Sequence, residues 1–177
     1  MAARTDSFDL DRLKLSSGEG RRLTLGVALE PFEFAGTEYA VDPGQIDVTL
    51  DVSRMTHGGY SLRLRFSAAL VGPCMRCLED ATPSVDVDAR EIDQPGDDDE
   101  LSSPYVSDQV LDLRAWARDA LALAMPVQLL CREDCAGLCP VCGTDLNAAG
   151  RAGAVHAHER APDPRWAKLS ELKLDLP

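Results

Sequence analysis

QIDVTLDV, residues 45–52, and YSLRLRF, residues 60–66, decide the class of this fold. In the first, Ile46, Val48, Leu50 and Val52 alternate with Asp47, Thr49 and Asp51; in the second, Tyr60, Leu62, Leu64 and Phe66 alternate with outward Arg63 and Arg65. A period of two places one set of side chains on each face of a strand. THGGY lies between them, and its Gly58–Gly59 pair suits a tight reversal, so the two strands make an antiparallel hairpin.

The same reading extends outward. LTLGVALE (23–30) is a further strand, residues 67–72 continue the second hairpin strand into PCMRC, and PSVDVDAREI (83–92) alternates again. These make a meander with one buried and one wet face. The period then changes. In DLRAWARDALALAMP (112–126), Leu113, Trp116, Ala117, Ala120, Leu121 and Ala124 recur at helical spacing, with Asp112 as N-cap and Pro126 as stop. Trp116 reads as core. The expected fold is α+β: an antiparallel curved sheet or partial barrel packed by one main helix, with a Cys-rich metal-binding lobe and a short C-terminal helix. Residues 1–20 read as a flexible lead, 21–147 as the domain with an acidic loop at 93–107, and 148–162 as an Ala/Gly/Pro linker. Residues 163–177 read as an amphipathic helix carrying Trp166, Leu169 and Leu172.

The net charge of −12 argues against a protein that simply coats nucleic acid, because an even spread would repel phosphate. Much of the acid sits in VDVDAREIDQPGDDDE, which reads as a solvated loop or as an arm for a basic partner. No apolar run reaches the length of about eighteen residues that a membrane helix needs, and MAARTDSFDLDRLKL lacks a signal-peptide core. A cytoplasmic location is therefore expected, where thiols stay reduced.

That makes the six cysteines informative. Cys74 and Cys77 form CMRC, Cys131 and Cys135 form CxxxC, and Cys139 and Cys142 form CPVCG. A two-residue spacer lets both sulfurs of a CxxC reach one ion while backbone amides face the thiolates, and four thiolates close a tetrahedral zinc site. CPVCG reads as the better knuckle because Pro140 stiffens it and Gly143 permits the turn; CMRC reads as the weaker. Spacing leaves three quartets open: the two CxxC pairs together, Cys74/Cys77 with Cys131/Cys135, or the four downstream cysteines alone. Iron of rubredoxin type suits CPxCG equally. His57, His156 and His158 read as surface histidines, HAH being at most an accessory ligand. No catalytic constellation emerges: GxSxG, phosphate-loop, dinucleotide and HExxH signatures are missing, and neither CxxC opens a helix after a strand, where a thiol would be activated.

PCMRCL after an apolar strand, LDL leading a helix that ends in LAMP, then LCREDCAGLCPVCGTDLN and DPRWAKLSEL, in that order, resemble the YceD family, also called domain of unknown function 177. The resemblance spans roughly residues 10–174. It implies a bacterial and plastid protein needed for accumulation of 23S ribosomal RNA, hence for large-subunit biogenesis, whose gene often neighbours that of a large-subunit ribosomal protein. It carries the family's cysteine positions onto Cys74, Cys77, Cys131, Cys135, Cys139 and Cys142. Some relatives replace the CPxCG half, which favours Cys74, Cys77, Cys131 and Cys135 as one site and a structural rather than catalytic zinc. The expected function is thus a non-enzymatic biogenesis factor whose partner is a large-subunit ribosomal protein or a 23S rRNA precursor. Arg54, Arg63, Arg65 and Arg76 could supply a local basic contact patch. The rival reading is a thiol-based redox or metal-delivery protein.

Overall fold

The structure, a computed structural model, describes residues 4–56, 58–94, 101–151 and 156–158. It divides into two compact units, one ending at Cys135 and one beginning at Ala136. In chain order the first holds β1 (Ser7–Asp9), a 3-10 turn (Leu10–Leu13), β2 (Gly20–Ala28), β3 (Phe32–Phe34), β4 (Thr37–Asp42), β5 (Gln45–Arg54) and β6 (Tyr60–Pro73). Then follow β7 (Asp80–Ala81), β8 (Ser84–Asp93), β9 (Val106–Ser107), β10 (Val110–Asp112) and α1 (Leu113–Ala124). The α+β class expected from the alternation holds, with a mostly antiparallel sheet, one main helix and a cysteine cluster.

The long strand β6 organises this unit. β8 pairs with it along one edge, from Tyr60 to Ala69. On the other edge β5 pairs over Tyr60–Arg65, and β4 takes over at Ala69–Val71. β2 extends the sheet beyond β5. The inward residues of the hairpin are those that alternation selects: Ile46, Val48, Leu50 and Val52 face Tyr60, Leu62, Leu64 and Phe66, all buried. Each such side chain contributes about 1.5–3 kcal/mol by leaving water.

Helix α1 begins where Asp112 accepts a hydrogen bond from the Ala115 amide at 2.9 Å and ends at Met125, just ahead of Pro126. It buries Leu113, Trp116, Ala117, Ala120 and Leu121. Ala124, expected in that stripe, is exposed because the helix stops there. The helix touches both β2 and β8, the outer strands of the β2–β5–β6–β8 run, so the sheet must curl around it. Trp116 sits in that curl, 2% exposed and stacked on Tyr105.

Two stretches carry more structure than alternation suggests. Residues 4–15 read as a polar lead, yet β1 pairs with β10, the Thr5 amide reaches the Gly26 carbonyl at 2.7 Å, and Leu10 is 1% exposed. The short segment is held by its partners rather than by its own pattern. Residues 32–42 supply β3 and β4, which bury Phe32, Tyr39 and Val41. Of the acidic loop, residues 95–100 lie outside the described residues; its end is tied back where the Ser103 hydroxyl meets Glu91 at 3.2 Å. His57, most of the 148–162 linker and the 163–177 helix also lie outside them.

The second unit's described part contains an isolated bridge, Leu138 to Asp145, and the short α2 (Leu146–Arg151). No helix among the described residues is long and apolar enough to cross a membrane.

The corner where β5 turns into β6 allows no side chain at its second glycine. Gly59 has φ +76°, and a Cβ there would lie 2.1 Å from the Asp93 carbonyl oxygen. Gly59→Ala should cost about 3 kcal/mol or more in urea unfolding, from strain and backbone collision together. A cost under about 1 kcal/mol would contradict the β6–β8 register.

Candidate metal centre

Beyond β6 the chain reverses through Cys74–Glu79. The Cys74 amide donates to the Glu79 carbonyl at 2.7 Å, and the Leu78 amide donates to the Cys74 carbonyl at 3.0 Å. The Arg76 amide points at Cys74 Sγ, 3.5 Å away. Leu78 closes the turn with φ +64°. The irregular segment that leaves α1 is fastened to this turn. The Met75 amide donates to the Leu129 carbonyl at 2.9 Å, and the Arg76 guanidinium donates to Gln128 Oε1 at 3.0 Å and to the Cys135 carbonyl at 3.1 Å.

This fastening brings four thiols together. Cys74, Cys77, Cys131 and Cys135 have sulfurs all within 4.8 Å of one another, with Cys74 Sγ 3.8 Å from Cys135 Sγ and Cys77 Sγ 3.6 Å from Cys131 Sγ. Four thiolates at about 2.3 Å from one tetrahedral ion would lie about 3.8 Å apart. The cysteines are free rather than bridged, and Cys74, Cys77 and Cys135 are buried. The quartet could hold a metal ion.

The electrostatics agree with that fit. Burial pushes the Cys74 thiol up, but the backbone amides around it and the Cys77 thiol bring it down to about 6. Burial, joined by the neighbouring thiols, pushes Cys131 up to about 12. One thiolate in the cluster thus opposes the next, and a divalent cation relieves that opposition.

A second group of donors lies within the unit that begins at Ala136. Cys139, Cys142, His156 and His158 place their ligand atoms within 4.8 Å of one another. Cys142 Sγ lies 3.3 Å from His156 Nε2, which lies 2.9 Å from His158 Nε2. The CPVCG turn repeats the CMRC frame bond for bond. The Cys139 amide donates to the Thr144 carbonyl at 2.8 Å, and Gly143 to the Cys139 carbonyl at 2.8 Å. The Val141 amide approaches Cys139 Sγ at 3.5 Å, and Gly143 has φ +73°. The Thr144 hydroxyl, 3.1 Å from Cys142 Sγ, is the main reason that this thiol is lowered to about 6.

The structure therefore divides the six cysteines as four and two. The donors that converge among the described residues are Cys74, Cys77, Cys131 and Cys135 in one unit and Cys139, Cys142, His156 and His158 in the other. His156 and His158, read as surface histidines, stand beside Cys142; a lone HxH gives no sign in sequence of the knuckle it will meet. The two knuckles, ranked unequally from sequence, have one geometry.

The four arginines expected as a contact patch are differently engaged. Arg63 pairs with Asp88, its Nε at 2.7 Å, and Arg65 pairs with Asp51 at 2.8 Å, where Arg22 also binds at 2.6 Å. The Arg22 guanidinium, aided by that of Arg65, holds Asp51 below the usual carboxylate range. Arg54 lies over the Tyr60 ring, 4.5 Å from its centroid, and Arg76 braces the cysteine turn. On the wet face of the sheet, Arg63 and Arg65 are thus engaged by aspartates of the neighbouring strands.

Residues 62–173 match the family described as large ribosomal RNA subunit accumulation protein YceD. An uncharacterized protein of Mycobacterium tuberculosis is 37% identical over 142 residues, covering 75% of this chain and 65% of the relative; one of Mycobacterium bovis matches to the same extent. An uncharacterized protein of Mycobacterium leprae is 32% identical over 112 residues, covering 60% of this chain and 49% of its own. The chain thus spans less than two thirds of the length of these relatives. No solved structure matches.

Leu78 holds a left-handed conformation that costs a non-glycine residue about 1–2 kcal/mol, while its side chain is 67% exposed and packs little. Leu78→Gly should raise stability by up to about 1 kcal/mol, since glycine gives back part of the gain in chain entropy. Thermal unfolding checks it, and a lowered midpoint would mean that the leucine side chain matters to the turn.

Proposed function

The chain belongs to the YceD family, and from that premise we propose that it supports accumulation of 23S ribosomal RNA as a non-enzymatic factor in large-subunit biogenesis. The observation that carries the reading is the quartet Cys74, Cys77, Cys131 and Cys135. Four protein thiolates fill a tetrahedral coordination sphere, whereas a catalytic zinc keeps a position open for water or substrate. Three of the four residues are buried, which leaves a reactant little access. We read the ion as structural zinc, fixing the end of β6 against the segment that leaves α1. The protein works, on this reading, as a rigid cytoplasmic surface.

The partner follows from charge. The paired arginines of the sheet face offer RNA phosphate little, and the net charge of −12 favours a basic protein. A large-subunit ribosomal protein is therefore the first partner, and a 23S rRNA precursor the second.

Gradient sedimentation of a lysate at low salt tests this. The protein should travel with precursors of the large subunit and leave them as salt rises. Its depletion should lower 23S relative to 16S rRNA, and Cys74→Ser should reproduce that loss. Failure to co-sediment at low salt, with an unchanged rRNA ratio on depletion, would overturn the reading.

A further inference from the structure

Beyond the four-thiolate centre, we propose that the unit beginning at Ala136 binds a second divalent transition ion of the zinc class through Cys139, Cys142, His156 and His158. Three observations meet here. First, the four donor atoms converge within 4.8 Å, two sulfurs from one knuckle and two imidazole nitrogens from an HxH pair. Cys2His2 is an established tetrahedral zinc set, and the two-residue spacer of the CPVC knuckle is one that such sets use.

Second, the knuckle is already organised for a thiolate. The Val141 amide faces Cys139 Sγ, the Thr144 hydroxyl faces Cys142 Sγ, and the left-handed Gly143 closes the same hydrogen-bond frame that Cys74–Glu79 uses. The rest of the loop is cross-braced. Asn147, 4% exposed, accepts from the Ala136 amide at 2.7 Å, and the Leu146 amide donates to the Gly137 carbonyl at 2.9 Å.

Third, apolar burial is slight among the described residues of this unit. Among the described residues from Ala136 onward, Cys139 is the sole apolar side chain that is buried, and Val141 is 71% exposed. A small segment with slight apolar burial is held by other means, and a bound metal is one such staple. The two imidazoles support this. His156 Nε2 and His158 Nε2 face each other at 2.9 Å, an arrangement in which one proton makes a single hydrogen bond but an ion engages both lone pairs.

The proposal stands apart from the ribosomal reading, and its test separates the two sites. The full chain is loaded with cobalt(II), and bound ions are counted by elemental analysis alongside the visible and charge-transfer spectra. The expected result is two ions per chain. The variant His156→Ala/His158→Ala should hold one ion and keep the four-thiolate spectrum of the first centre as an internal control. Its charge-transfer absorption should fall by about a third, since two of the six thiolates lose their metal. His156→Cys/His158→Cys should restore the second ion and shift its spectrum toward that of a four-sulfur site. One ion per chain in the unaltered protein overturns the proposal. So does a histidine variant that keeps both ions, or one that loses both without rescue by cysteine.

Discussion

Thiolates repel one another, and four of them drawn to one point are tolerable only with a cation between them. That constraint sits at the junction of Cys74, Cys77, Cys131 and Cys135, where the end of the longest strand meets the chain that leaves the main helix. These residues form an apolar satellite with Ala81 and Leu130, distinct from the large core under the helix. The sheet and helix have their own reason to fold, in the interleaved aliphatic side chains of β5, β6 and α1. What an ion held by these thiols would add is local: it would fix a segment that has little burial of its own. Val127, at 98% exposure, shows how little this stretch otherwise gains by staying in place.

The sheet's outer face tells a complementary story. Arg22 and Arg65 share Asp51 while Arg63 takes Asp88, so three arginines and two aspartates from four strands are tied together. Such exposed pairs each contribute little to stability, about 0.2–1 kcal/mol, and less in salt. Their larger effect is on recognition. A strand face that displays arginines in sequence pairs them with aspartates in the fold.

Much of this was legible in the residues. Period-two alternation marked β5, β6 and β8, because a sheet with one wet face imposes that period on every strand. Asp112 and Pro126 marked the helix ends through the chemistry of caps. The short strands β1, β3, β4 and β10 were not legible, since three to six residues carry too little pattern, and β1, β4 and β10 are held by partners distant in sequence. At the centre, the CxxC spacings announced metal chemistry, but which thiols would meet depended on how β6 and the chain after α1 come together. The family resemblance, not the spacing, pointed to the quartet that the fold assembles. His156 and His158 were hidden for the same reason: an HxH pair gains meaning only when the chain folds back to a knuckle fourteen residues away.

X-ray absorption at the zinc edge of the purified protein, repeated on His156→Ala/His158→Ala to leave the first centre alone, interrogates the central claim most directly. The account predicts a first shell of four sulfurs at about 2.3 Å in that variant. A shell dominated by nitrogen or oxygen, or a protein that folds without retaining any metal, would contradict it.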